Sequence, residues 1–597
     1  MATTLIPNSG DWDLDSFYGE RLGADYKRDR ETFRDKLEQA LQEKDLASLL
    51  GQWESLISES EHMGTYLLCL RSADGRDQLV AQEMASFQSD GSRLRQLEVS
   101  LGERLRKLSE AQLDQLLANP ALKELDYYCK RLRQRALWQM PLEQENLAAD
   151  LDVDGMSAWG RLYDQVAGRL EFDYQNAKGE TVTEPMSMKV SLLEDPDPEV
   201  RRSVLLGSNQ AWKSVQDVAA ACLNAIAGTR LTLYKRRGVP HFLEPALFDA
   251  AIEAGTLNSM LQAIASRYEL PRQFLRLKAK ILGVSKLGFQ DLSAPLPNLD
   301  HSQIAWEEAG KLLVRESKVS YPEFSQFCEQ ALQRRWVDWS PREGKRPGGF
   351  CTGSTKLRES RIFMTYHGAF GDLMTLTHEF GHAWHTHVMK QERPLNVLYP
   401  MTLAETASTF AENLLIDALL RSPSTTKEQR LKLLDSRMER ASAFLLNIPS
   451  RFLFEKRFYE ERAHGEVSLD RLHELTREAQ LECYGDSLDS EQLDSYFWAS
   501  KLHFYITEVS FYNFPYSFGY LFSLGVYAQA QKRGDAFLPT YERLLQATGR
   551  RTAEQVAREN LDVDLSQPQF WLDSLALVEE DMRLFDELAR EIYSLSS

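Results

Sequence analysis

The chain has 597 residues, 43% hydrophobic and 26% charged, and its 70 basic and 88 acidic side chains give a formal charge of −18. Single cores stop growing near ~250–300 residues, so two or more lobes are expected. The acidic balance argues against nucleic acid or an anionic membrane as the main partner, because both call for a basic face.

The start, MATTLIPNSGDWDLDSFYGER, is polar and acidic and lacks the basic and apolar regions of a secretory leader. No run approaches the ~18–20 apolar residues that span a bilayer. The six cysteines (69, 129, 222, 328, 351 and 483) are scattered without a CxxC pair, which fits reduced, mostly buried thiols. A cytoplasmic protein is expected.

Residues 27–145 repeat apolar positions at spacings of three and four among good helix formers, punctuated by Pro120 and Pro141. RLEFDYQNAKGETVTEPMSMKV (169–190) carries Asn-Ala-Lys-Gly between β-favouring runs and predicts a hairpin. LEDPDPEVRRSVL then opens a new helix, and a lobe boundary is expected near residue 195. That gives an N-terminal helical lobe with a short hairpin (1–195) and a second lobe (196–597). Helical patterns resume through 330. The stretch 337–370 is glycine-rich and non-helical, with one β-like run, RIFMTYH (361–367).

LMTLTHEFGHAWHTH (373–387) follows, holding four of the eleven histidines. Asp372 can cap a helix starting at Leu373. At about 100° per residue, Leu373, Leu376, Phe380, Trp384 and Val388 form a core stripe. On the same wheel His378, His382 and His385 fall at about 140°, 180° and 120°, while His387 falls at about −40°, among the apolar residues. His378 and His382 are one turn apart, so both imidazoles can reach one ion, with Glu379 beside them as a general base. His385 lies about 10.5 Å beyond His378 along the axis, too far to join the same ion on a straight helix. The extended form with a further histidine is excluded, because Val388 stands where that histidine would be.

A third ligand is therefore expected from another segment, and MTLAETASTFAENLL (401–415) offers one. Leu403, Ala407, Phe410 and Leu414 form its apolar stripe, and Glu405, Ser408 and Glu412 share another face. A turn at Pro394 and Pro400 would bring this helix back beside the first. Two histidines, Glu405 and a water complete a catalytic zinc site, with Glu412 orienting an imidazole. The same spacing also fits a plain solvated helix face.

HEFGHAWH and AETASTFAE resemble the M3 family of zinc oligopeptidases, and more closely its oligoendopeptidase F branch. GDWDLDSFY (10–18), EGKRPGGFCT (343–352) and FYNFPYSFGYLFSLG (511–525) are similar to that branch as well. The resemblance implies a mainly α fold, two helical lobes flanking a deep substrate channel, with a small β element next to the zinc helix. It implies one Zn²⁺ per chain and cleavage of short peptides at internal bonds. It strengthens Glu405 as the third ligand, makes RIFMTYH a strand that pairs with extended substrate, and sets Gly-rich GGFCTG (348–353) beside it. It further implies that His503, Tyr512, Tyr516 and Tyr520 hold the substrate carbonyl or the developing oxyanion. Each tyrosine could equally be core packing. His385 stays open between orienting the site and lining the channel, and His367, His464 and His473 receive no role. The competing readings are a non-catalytic peptide-binding scaffold with a structural metal and a zinc aminopeptidase. Oligomeric state and cleavage preference are left open.

Overall fold

The computed structural model describes residues 6–7, 9–299 and 303–595; the first residues of the leader reading, 1–5, lie outside them. The chain is mainly helical, as expected, with two small sheets. Among the described residues no helix is long and apolar enough to cross a membrane.

Two compact units emerge, each built from three chain segments. The first takes residues 1–137, 301–422 and 526–563, and the second takes 138–300, 423–525 and 564–597. The boundary expected near 195 divides the chain by order, whereas these units divide it in space. The hairpin illustrates the difference. Strands β1 (Glu171–Gln175) and β2 (Thr181–Pro185) form where the turn residues predict them, with Gly179 at φ 76°. They belong to the second unit, where Phe172 packs on Val200 and Val204 of the helix Pro198–Ser214. Gly207 on that helix allows the approach, since a Cβ there would lie 1.9 Å from the Asp173 carbonyl oxygen.

In the first unit, helices Ala24–Gln42, Leu46–Ala73 and Gln78–Arg106 enclose a core that includes Phe33, Leu37, Trp53, Tyr66 and Leu97. A three-stranded sheet follows, in the order β3 (Val337–Asp338), β5 (Glu359–Phe363), β4 (Phe350–Ser354). β5 runs parallel to β3 and antiparallel to β4. This corrects the expectation for RIFMTYH as a substrate-pairing edge. Its strand lies in the middle of the sheet, paired on both sides. The glycine-rich segment expected beside it is itself the outer strand β4.

The histidine helix spans Phe370–Val388 and the glutamate helix Met401–Arg421. The first begins three residues earlier than expected. Asp372 does not cap it from outside. It lies in the first turn, and its Oδ2 accepts the N–H groups of His367 (2.8 Å) and Ala369 (3.0 Å). Between the helices Pro394 opens a short 3₁₀ turn and Pro400 immediately precedes the second helix, as the proline positions suggest.

Candidate metal centre

Leu373, Leu376, Phe380 and Trp384 are buried on one face of the histidine helix, and the Trp384 indole donates to the Tyr321 hydroxyl at 3.2 Å. The glutamate helix buries Leu403, Ala407, Phe410 and Leu414. Gly381 lets the two backbones meet. A Cβ there would lie 2.4 Å from Ser408 Cα and 2.6 Å from the Ala407 carbonyl oxygen, closer than packed atoms allow.

This contact converges three side chains. His378 Nε2 and His382 Nε2 lie 3.2 Å apart, and Glu405 Oε2 lies 3.3 Å from the first and 3.8 Å from the second. Ligands about 2.0–2.1 Å from a tetrahedral zinc are roughly 3.3 Å from one another, so the triangle fits one face of such a site. His378, His382 and Glu405 also form the group of ligand-type side chains able to hold a metal among the described residues. Ser408 Oγ donates to Glu405 Oε2 at 2.7 Å, fixing the carboxylate. His378 Nδ1 pairs with Glu412 Oε1 at 2.5 Å, and Glu412 is buried, so it is not part of a solvated face. Burial and the neighbouring His378 push the His382 pKa down, keeping the ring neutral and able to bind a metal.

Glu379 lies beside this triangle, 6% exposed, and its Oε2 has no hydrogen-bond partner among the described residues. Burial pushes its pKa up to about 7; the His378 charge opposes this and the Glu405 charge adds to it. Orphaned buried carboxylate oxygens are costly and rare.

His385 is not in the triangle. It is fully buried, its Nε2 bonds Thr548 Oγ1 (2.9 Å) and the Leu545 carbonyl (3.3 Å), and its ring stacks on Tyr399 at 4.2 Å. His387 stacks on Trp384 at 5.3 Å, among the apolar residues as its wheel position predicts.

In the second unit His503, Tyr512 and Tyr516 form a ring cluster of their own. His503 stacks on Tyr512 at 5.6 Å and meets Tyr516 edge-on at 6.1 Å, and the two tyrosines are 5.5 Å apart. Burial, then the charges of Arg451 and Lys501, push the His503 pKa down to about 4. Tyr520 is separate. It is buried and stacks on Phe444 at 4.8 Å, which is a packing arrangement.

The sequence profile of Peptidase family M3 matches residues 191–577, and that of Oligopeptidase F matches residues 104–172. The chain belongs to peptidase family M3. An oligoendopeptidase F homolog from Lactococcus lactis subsp. lactis (strain IL1403) is 26% identical over 527 residues, covering 85% of this chain and 86% of that protein. The chromosomal oligoendopeptidase F of Lactococcus lactis subsp. cremoris is 27% identical over 348 residues, a match spanning 58% of this chain and 57% of that protein. A putative peptidase from Chlamydophila abortus has the same fold, with a TM-score of 0.83 at 19% identity over 97% of this chain and 98% of that one. Oligoendopeptidase F from Enterococcus faecium gives 0.70 at 18% identity, over 95% and 99%.

Within this M3 chain three residues lie near the centre without having been tied to Glu379 by the sequence, Gly349 having been expected only to allow close backbone approach. A Cβ on Gly349 would lie 3.8 Å from Glu379 Oε1, so the start of β4 passes alongside that carboxylate. Cys351 on β4 is held well above the ordinary thiol pKa, by burial and then by the Glu379 charge. Tyr399 carries the stack with His385 and is raised in pKa by burial, then by Cys351 and Glu405. Gly349 and Cys351 stand within quoted motifs, but nothing in a linear string relates them to Glu379. Tyr399 stands just before the glutamate helix and had no signal.

Proposed function

We propose that this M3 peptidase is a zinc-dependent endopeptidase that hydrolyses internal bonds of short, cytoplasmic oligopeptides. The carrying observation is the triangle of His378, His382 and Glu405 with the unpartnered Glu379 carboxylate beside it. The donor set of two imidazoles and one carboxylate fits a catalytic zinc, which leaves further positions open. Zinc held there would make a water acidic and polarise the scissile carbonyl.

The protein's own groups supply the rest. Glu379 takes the proton from the attacking water and gives it to the departing amine. Glu412 and Ser408 fix the ligands through the bonds already described. β4 lies at the sheet edge, and its stretch ahead of Gly353, whose carbonyl is taken by the Thr65 hydroxyl, offers main-chain groups to an extended peptide in a pairing independent of side-chain sequence. Gly348, just before it, has nothing within 4 Å of where a Cβ would stand and leaves room for a second backbone. His503, Tyr512 and Tyr516 supply donors for substrate carbonyls. Tyr520 is left to packing.

The test uses an internally quenched oligopeptide with both ends blocked, offered to the native protein and to Glu379→Gln, with bound metal measured in each. The native protein should cleave it, and the variant should keep its metal and lose activity by ~10²–10⁴. A native protein that binds zinc but cleaves no such peptide would leave the site structural. Cleavage confined to peptides with a free amino terminus would make it an aminopeptidase.

A further inference from the structure

We propose that Arg451 and Lys501 form a carboxylate-binding subsite in the second unit, beside His503 and Tyr516. As a statement about substrate, this rests on the peptidase reading above; as a statement about anion binding, it stands on its own.

Both charges lie over one ring, that of Phe497, with Arg451 Cζ 5.5 Å and Lys501 Nζ 4.9 Å from its centroid. Arg451 is held by its Nε, which donates to Asn447 Oδ1 at 2.8 Å. Among the described residues neither cation has a carboxylate within ion-pair distance. Asp494, the carboxylate whose charge acts on Lys501, is taken by Lys189 at 3.1 Å and by the Tyr496 N–H at 3.2 Å. The Arg451 fork is therefore presented without an acceptor, and planar guanidinium forks match carboxylates in two-point contact.

The placement is also costly without an anion. Arg451 and Lys501 are half-buried, and burial, then the charges of Arg451 and Lys189, lowers the Lys501 pKa to about 7. In a chain of charge −18, which supplies carboxylates nearly everywhere, two adjacent unpaired cations point to an anion from outside. Their neighbours are the groups proposed to hold substrate. Both charges act on His503, and Arg451 interacts with Tyr516. Asn447, which anchors Arg451, ends a π-helical turn, Ala443–Asn447, and such insertions recur at functional sites. On a peptide the carboxylate is either the free C-terminus or an acidic side chain.

The experiment measures equilibrium binding to the zinc-loaded, full-length Glu379→Gln protein by calorimetry, so that no cleavage is needed. The probes are an N-acetylated peptide without acidic side chains as its free acid, the same peptide as its amide, and an amide carrying a single Glu. The free acid, the Glu-containing amide, or both should bind ~10-fold or more tightly than the plain amide, as charge-assisted bonds imply. A gain with the free acid assigns the C-terminus, and a gain with the Glu-containing amide assigns a side chain. Arg451→Met and Lys501→Met should each remove most of the preference, bringing the three affinities together. If Arg451→Met does not fold, Lys501→Gln carries the test. The subsite is overturned if the three peptides bind alike, or if the preference survives the substitutions. A native protein that shows the preference but never cleaves peptides would sink the peptidase reading and leave the subsite standing.

Discussion

His378 presents Nε2 to the metal triangle and Nδ1 to Glu412, one carboxylate two turns beyond Glu405 on the same helix. In the proposed site the glutamate helix thus supplies both the third ligand and the group that sets the tautomer and orientation of another. Glu412 is buried, so that bond is made away from solvent. Glu412→Gln should keep the fold and weaken metal affinity by ~10–100-fold. Competition with a chelator, read as metal retained against chelator concentration, would check this. Unchanged retention would mean the ring is held by other means.

The histidines of one helix should separate sharply on substitution. His382→Ala removes a vertex of the triangle and should abolish metal binding. His385→Ala removes a bond to Thr548 and a stack on Tyr399, both away from the triangle. It should lower stability by about 1–3 kcal/mol, through a lost buried hydrogen bond and a lost ring contact, and keep the metal, since the Thr548 hydroxyl still donates to the Leu545 carbonyl at 2.7 Å. Metal content and thermal melting of the two variants decide the matter; equal loss of metal would overturn the ligand assignment.

How far the sequence made this site legible follows from what each residue depends on. His378 and His382 could be read because one helical turn fixes their separation. Glu405 could be argued because an amphipathic stripe and two prolines define how its helix returns. Ser408 and Glu412 shared its face on the same wheel. The two units could not be read in order, because each closes its core with segments hundreds of residues apart, such as the helix Leu46–Ala73 and β4, joined by Thr65 and the Gly353 carbonyl. The edge strand was misjudged for a related reason. RIFMTYH has stronger β propensity than FCTGS, so it reads as the strand, but propensity names no partners, and only the pairing shows that Glu359–Phe363 lies between β3 and β4. Asp372 was misplaced by one turn because an acidic residue suits both the cap and the first turn of a helix.

Gly381 tests the packing that brings the triangle together. A methyl group there meets Ser408 Cα and the Ala407 carbonyl, which are backbone and cannot swing aside. Gly381→Ala should gain slightly in helix propensity but lose about 1–3 kcal/mol through overpacking. The helices must part to relieve the clash, and Glu405 moves with Ser408, so metal affinity should fall as well. A melt combined with metal titration distinguishes this from a purely stabilising Gly→Ala change, which would raise the melting temperature and leave the metal in place.

Glu455 makes stability depend on pH through a group outside the metal triangle. It is buried, and its oxygens accept the Phe511 N–H at 2.8 Å and the Asn513 side-chain amide at 2.6 Å. These bonds hold the segment carrying Tyr512, with Phe511 in the left-handed region at φ 56°. Burial pushes the Glu455 pKa from 4.5 to about 7, against the opposing effects of those bonds and of Arg230. The folded state therefore binds more protons than the unfolded state between pH 4.5 and about 7. Stability from this group is full below that window and falls as pH rises through it, by about 3 kcal/mol in all. Glu455→Gln cannot ionise, and its amide end cannot accept the bond it replaces, so it should be the less stable protein at pH 5. Its deficit should shrink as pH rises and level off above about pH 7, where the native carboxylate is fully charged. Denaturant unfolding of both proteins at several pH values would show this convergence, whereas a deficit that stays constant across the range would mean that Glu455 is already ionised in the folded protein at pH 5.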